Sequence, residues 1–149
     1  MTATFKLDGL KDLNKKLKKL APKVAKKVSR DALRAGAVVV RKEMRSNAPR
    51  DSGKLRKNIR FRIRGRKGRF RAKVGVTSDA FYAWYIEYGT GAHTIEGKVA
   101  INGNVYSRVK HPGIKPNPFL RRSWEKSKKR AMRAVSSKLW TGIEKASKA

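Results

Sequence analysis

The chain of 149 residues contains no cysteine, so disulfides and thiol chemistry are excluded. Only two histidines and ten carboxylates accompany forty Lys and Arg residues. Acids this sparse leave no paired carboxylates for a metal-assisted hydrolase. There is no G-x-x-x-x-G-K-[ST] phosphate loop and no G-x-G-x-x-G fingerprint. Long apolar runs are also missing. The longest aliphatic run, Ala37-Val38-Val39-Val40, is far too short to span a bilayer. The opening residues MTATFKLDGLKDL lack the apolar core of a signal peptide, so the expectation is a soluble intracellular product with no membrane partner.

What is present is positive charge. The net charge is +30 and the basic residues run from Lys6 to Lys148. Such charge opposes a compact monomer by self-repulsion and attracts nucleic acid or other anionic surfaces. A hydrophobic fraction of 39% with three Trp argues against wholesale disorder. The length fits a single domain, 1–149, with a real core.

The basic residues are densest from Lys54 to Lys73, where eleven of twenty residues are Lys or Arg and none is acidic. This stretch alternates. Ile59, Phe61 and Ile63 are separated by Arg60, Arg62 and Arg64, and Phe70, Ala72, Val74 and Val76 are set against Arg69, Arg71 and Lys73. Successive strand side chains point to opposite faces, so the pattern predicts two half-buried strands with one apolar and one cationic face. Gly65 and Gly68 bracket the expected reversing loop, which contains Arg66 and Lys67. Arg60, Arg62, Arg64, Arg66, Lys67, Arg69, Arg71 and Lys73 are therefore the candidate contacts to a polyanion. The alternative is a solvated charged face. Nothing indicates base reading: Arg64-Gly65-Arg66 lacks the Pro that would complete a minor-groove hook.

Helices are expected on either side. Leu7, Leu10, Leu13, Leu17 and Leu20 follow a three-and-four spacing, with Asp8 as a candidate cap. Ala21-Pro22 interrupts them, and Pro22 suits the first turn of the next helix. Val24, Val28, Ala32, Ala35 or Gly36, Val39 and Met44 continue an apolar stripe to about Asn47. This stripe fits packing on a sheet, or a basic amphipathic helix on a membrane surface; its small residues favour packing on protein.

Asp51 or Ser52 can cap a short turn ahead of Leu55 and Ile59. Ser78-Asp79 and Gly89 bracket an aromatic block, Phe81, Trp84, Tyr85 and Tyr88, expected as a short helix with a left-handed cap at Gly89. A strand is the alternative. The block suits a core or a subunit interface better than base stacking, since no two of its aromatics are flanked by basic residues. Thr94–Ile101 and Asn104–Lys110, joined by Asn102-Gly103, predict a second hairpin. Asn117-Pro118 predicts the start of a long C-terminal helix, with Asn117 capping and Pro118 at its first position. Its apolar face reads Phe119 or Leu120, Trp124, Ala131, Val135, Leu139 and Ile143.

The candidates for site chemistry are few. A second hairpin would bring His93 and His111 near each other with Glu96 nearby, either as a weak metal site or as ordinary loop histidines. Glu87, among aromatics, would have a raised pKa if buried alone; pairing with a cation or accepting backbone hydrogen bonds is the other reading. No cofactor is implied, and no enzyme activity.

Three segments together resemble a known family. Ala48-Pro-Arg-Asp-Ser-Gly-Lys-Leu-Arg-Lys-Asn-Ile59 resembles the P-x-D-[ST]-G-x-L-x-x-S-I segment of a neck and tail-completion family of long-tailed bacteriophages, with Asn58 where Ser is usual. Tyr82-Ala-Trp-Tyr-Ile-Glu-Tyr-Gly-Thr90 resembles its Y-A-x-x-[VI]-E-x-G-T segment, and His111-Pro-Gly-Ile-Lys-Pro-Asn-Pro-Phe-Leu120 its H-P-G and P-x-P-F-L segment. The resemblance spans about residues 5–145. It implies an α+β fold of N-terminal helix, antiparallel sheet and C-terminal helix; with the patterns above, the expectation is N-terminal amphipathic helices, an antiparallel sheet of about four strands in two hairpins, and a long C-terminal helix. It implies a non-enzymatic virion component at the head–tail junction, assembled in the host cytoplasm. Its partners would be further copies of itself in a ring, other connector or tail proteins, and genomic DNA. The residues it carries over are structural: Asp51, Gly53 and Leu55 before the sheet, Tyr82, Glu87, Gly89 and Thr90 in the aromatic block, and Pro118 and Phe119 docking the last helix.

Overall fold

A computed structural model describes residues 10–66 and 69–148. Leu7, Asp8, Lys67 and Gly68 lie outside them, so the Asp8 cap and the Lys67 contact are not described. The elements are α1 (Leu10–Lys18), α2 (Pro22–Asn47), α3 (Lys54–Asn58), β1 (Ile59–Arg66), β2 (Arg69–Val76), α4 (Ala83–Tyr88), β3 (His93–Ile101), β4 (Asn104–His111) and α5 (Phe119–Ser147). This is the expected α+β fold. The expected single sheet is corrected, however: the four described strands form two separate two-stranded sheets, β1–β2 and β3–β4, because the second hairpin pairs only with itself.

The central element is α2, with α5 and the first hairpin both packed on it. Pro22 stands in its first turn, where the missing N–H leaves no bond unmade. Its buried residues are Val28, Ala32, Gly36, Ala37, Val40 and Met44. The expected stripe is thus corrected at Val24, which is exposed, and extended by Val40, which is buried beside a half-buried Val39 that packs against the core.

The long helices run antiparallel. Asn47 Nδ2 donates to Ser123 Oγ at 3.0 Å. Glu43 takes Arg130 at 2.6 Å and Lys126 at 3.3 Å. Gly36 lies under Val135 and Ala131, and Gly142 under Val28. A Cβ on Gly36 would stand 2.5 Å from Val135 Cγ2, so glycine sets the approach of the helices there. The inner face of α5 carries two fully buried serines that the apolar pattern passed over, Ser123 and Ser127. Each donates to the carbonyl four residues back, Phe119 at 2.5 Å and Ser123 at 2.6 Å, so neither hydroxyl is orphaned.

In the first hairpin Ile59 pairs with Val76, Phe61 with Val74, Ile63 with Ala72 and Gly65 with Phe70. These pairs form the face turned to α2. Arg45 donates to the Ile59 carbonyl at 3.0 and 3.2 Å, and the Arg41 guanidinium lies 5.0 Å from the Phe61 ring centroid. Gly65 belongs to the strand rather than the loop, because β1 continues to Arg66. The ring of Phe70 covers it: a Cβ there would lie 2.3 Å from the ring. Asn58 closes the base. Its backbone carbonyl accepts Thr77 N–H, and its side chain accepts the Thr77 hydroxyl, both at 3.0 Å.

The second hairpin turns through Asn102 (φ 50°) and Gly103 (φ 81°), the positive-φ pair expected of Asn-Gly. A bulge interrupts its register between Glu96 and Val99. Both of its strands are largely exposed, so it projects as an arm.

Candidate functional site: a cationic hairpin face and the clasp behind it

The register puts Arg60, Arg62, Arg64 and Arg66 on the outer face of β1, and Arg69, Arg71 and Lys73 on that of β2. All seven are exposed. Arg62 stands directly opposite Lys73, Arg64 opposite Arg71 and Arg66 opposite Arg69. Like charges directly opposite each other destabilise a strand pair by tenths of a kcal/mol up to about 1 kcal/mol each. Among the described residues no ion pair involves any of the seven; the pairs join Glu96 to Arg108, Glu43 to Lys126 and Arg130, and Glu125 to Lys128. The hairpin is therefore held by its apolar face on α2, while its outer face is left un-neutralised. Along each strand the cations repeat every second residue, about 6.8 Å apart. Arg30 of α2 joins Ile63, Arg64, Arg66, Arg69 and Arg71 around one open groove.

Behind this face the three motif segments have structural work. Gly53 (φ 73°) occupies the cap position ahead of α3, Leu55 is buried in the core, and Asp51 is exposed. The Ser52 hydroxyl accepts Lys54 N–H at a long 3.4 Å.

The aromatic block folds as a 3-10 turn, Ser78–Ala80, followed by α4, with no side-chain cap on either. Tyr82, Ala83, Ile86 and Glu87 turn inward. The aromatic stripe Phe81, Trp84, Tyr85 and Tyr88 shares one helix face, as its spacing predicts, but that face is the exposed one. Of the two readings, core or interface, core packing is excluded.

Glu87 is 6% exposed and caps α5. Its Oε2 accepts Leu120 N–H at 2.8 Å and its Oε1 accepts Arg121 N–H at 3.0 Å. Two of the free N–H groups of the helix start are thereby satisfied, with a negative charge at the positive end of the helix dipole. This corrects the expected cap. The helix begins at Phe119, Pro118 occupies the cap position, and the Asn117 side chain receives Arg122 instead. Asn117 N–H donates to the Ile86 carbonyl at 2.7 Å, and Phe119 is fully buried. The second and third segments therefore interlock, docking α5 onto α4.

Gly89 has φ 73° and ψ 179°. This is an extended positive-φ conformation open essentially to glycine alone, not the left-handed cap that was expected. A Cβ there would meet the Ile114 carbonyl oxygen at 2.5 Å. Next to it Thr90 and Ile114 exchange backbone hydrogen bonds of 2.9 and 3.1 Å, closing the base of the arm.

His93 and His111 are directly opposed there, ring centroids 5.0 Å apart. His93 Nδ1 meets the Gly91 carbonyl at 3.0 Å, and His111 Nδ1 accepts Gly113 N–H at 3.0 Å. Glu96 is on the other face of the hairpin, paired with Arg108 at 2.7 Å. Among the described residues no group of three or more His, Cys, Asp or Glu is placed to hold a metal, and no helix is long and apolar enough to cross a membrane.

Sequence reasoning missed Ser123, Ser127 and the network around Glu43. That carboxylate is only 13% exposed. Burial pushes its pKa up, but hydrogen bonds from Arg130, Asn47 and Lys126 outweigh burial and hold it below the ordinary 4.5. The available signal was an acid facing Lys and Arg on a second helix, which has no sequence spacing to reveal it.

Comparison with known proteins gives one family. The HK97-gp10-like model, described as a bacteriophage HK97-gp10 tail component, matches residues 11–89. The match takes in α2, the cationic hairpin and α4, and stops before the arm. No curated protein and no solved structure matches the chain.

Proposed function

The chain belongs to the HK97-gp10-like family of bacteriophage tail components, and from that premise we propose that it completes or joins the head–tail connection of a long-tailed phage. It acts as a structural, non-enzymatic protein of the virion, one folded unit in a homo-oligomeric ring, with other connector or tail proteins as neighbours. It is assembled in the host cytoplasm and resides at the head–tail junction.

The observation that carries this reading beyond the family is the outer face of the first hairpin. Seven exposed cations, three cross-strand pairs of like sign and no intramolecular partner among the described residues form a surface kept at a cost to the fold. Such a surface is accounted for by an anion supplied from outside, either genome phosphate in a channel or the acidic surface of a neighbouring subunit. Six of the seven are Arg, whose planar fork suits bidentate contacts to phosphate or carboxylate.

The test is reconstitution. Purified protein is added to phage heads and tails that lack it, joining is scored by electron microscopy, and the Arg62→Glu/Arg64→Glu/Arg71→Glu variant is run in parallel. Joining by the native chain and loss with the variant are expected. Joining that never needs the protein sinks the head–tail assignment.

A second reading, a sequence-independent nucleic-acid-binding architectural protein, is favoured by the same cations. It predicts a monomer that coats duplex DNA and makes no contact with tails or connectors.

A further inference from the structure

Two apolar surfaces of the described chain are covered by nothing. One is the outer face of α4, where Phe81, Trp84, Tyr85 and Tyr88 are all exposed, Trp84 at 66%. These rings are ordered against one another. Trp84 stacks on Tyr88 with centroids 5.2 Å apart, and Phe81 meets Tyr85 edge-on at 6.4 Å. The other surface is the tip of the arm, where Ile101, Val105 and Tyr106 are exposed, Val105 at 65%. Scattered exposed apolar residues are ordinary, but two clusters containing four and three large side chains mark interaction surfaces.

Charge indicates what covers them. Residues 74–97 and 99–107 contain no Lys or Arg, and they are the two longest such runs in a chain of net charge +30. The aromatic face lies in the first and the arm tip in the second. Almost anywhere else, two copies meeting would set cation against cation, and like-charge juxtaposition at an interface costs several kcal/mol. These are the two surfaces through which copies of this chain meet without that penalty. Asp79, exposed two residues before Phe81, adds a carboxylate for Lys98 of an incoming arm.

The arm suits reaching out of its own molecule. Its base is fixed beside the end of α4 by the Thr90–Ile114 bridge. From there strands of nine and eight residues extend. At about 3.4 Å per residue the tip is held roughly 27 Å from that base. Apart from pairing with each other, β3 and β4 pack extensively on no other element.

We propose that the arm tip of one copy docks on the α4 aromatic face of the next. The contact uses different surfaces on the two partners, so it propagates head to tail and closes into a ring or extends as a filament. The proposal rests on the oligomeric reading given above and adds the two surfaces that make the joint.

The absence of cysteine makes the joint testable by directed disulfides. Tyr85→Cys places a thiol on the aromatic face and Asn104→Cys one at the arm tip, both at exposed positions, so unchanged melting temperatures are expected. The variants are oxidised separately and mixed, in about 1 M salt, where a Debye length of about 3 Å suppresses charge repulsion. Linked dimers in the mixture, none in either variant alone, and a ladder of multimers from the double variant are expected. Trp84→Ala should weaken self-association by about tenfold or more, as for loss of an aromatic anchor.

Self-association without the 85–104 link, or links within one single variant, overturns this contact and leaves the oligomeric reading standing. A chain that stays monomeric at every concentration overturns both. A native chain that is monomeric alone, but joins a second tail protein through Trp84, overturns the second copy as occupant.

Discussion

The Glu87 carboxylate and the Leu120 backbone N–H, thirty-three residues apart in the chain, are 2.8 Å apart in space. With the neighbouring bond to Arg121, this contact makes a buried acid the cap of the longest helix. It ties the aromatic segment to the segment that opens α5, and so sets the direction in which the arm leaves the body between them.

Replacing Glu87 with Ala should lower stability by about 2 to 3 kcal/mol, because two backbone donors lose a charged acceptor at a buried helix start. Glu87→Gln, which keeps one acceptor oxygen, should lose about half as much. Urea unfolding measures both. A loss below about 0.5 kcal/mol from the Ala variant would contradict the capping role.

Gly89→Ala should loosen the base of the arm without unfolding the helices. The residue needs positive φ, and its Cβ would collide with the Ile114 carbonyl oxygen. The strain is about 1 to 3 kcal/mol. Hydrogen exchange is the readout: the Thr90 and Ile114 amides should exchange faster while those of α2 keep their protection.

Arg71→Glu should raise stability and lower polyanion affinity together. It turns the like-charged pair with Arg64 into an opposite-charged one, a gain of up to about 1 kcal/mol. For duplex DNA at varied salt, the slope of log K against log salt should fall by about 0.9 for each phosphate the variant no longer neutralises. A variant that gains stability and keeps its full salt slope would show that Arg71 meets no polyanion.

Acid should destabilise the α2–α5 pair through Glu43. Its folded pKa lies below its ordinary value, so its contribution is fully present above about pH 4.5 and is lost as pH falls through the depressed folded value. Thermal unfolding between about pH 5 and 3 should show this loss in the native chain. In Glu43→Gln that part of the pH dependence should disappear, leaving a lower, flatter curve.

Gly36→Ala should cost about 1 to 3 kcal/mol through overpacking against Val135 and Ala131. Gly75→Ala, with nothing within 4 Å of the added methyl and no positive φ, should be neutral or slightly stabilising. Melting temperatures of the two variants check the contrast.

The hairpins were legible because strand alternation is a local code. Side chains two apart share a face whatever the rest of the chain does, so the inward set Ile59, Phe61 and Ile63 and the outward row from Arg60 to Arg66 follow from spacing, whereas the register that pairs Phe61 with Val74 is set by where the turn falls. Pro22 and Asn102-Gly103 were legible for the same reason, since each acts through its own backbone angles. Spacing also put Phe81, Trp84, Tyr85 and Tyr88 on one face of a helix. It did not say which way that face looks.

That direction, and the burial of Ser123 and Ser127, depend on what lies across the gap, and local periodicity carries no information about a neighbour. The same holds for Glu87. An acid among aromatics is compatible with an ion pair, a protonated carboxyl or a cap, and only the position of α5 selects the cap. By itself the sequence determined where the chain alternates, turns and breaks, and that its charge is overwhelmingly positive. The tertiary structure decided which faces meet, because burial and hydrogen-bond partnership depend on residues distant in the chain and brought together only on folding.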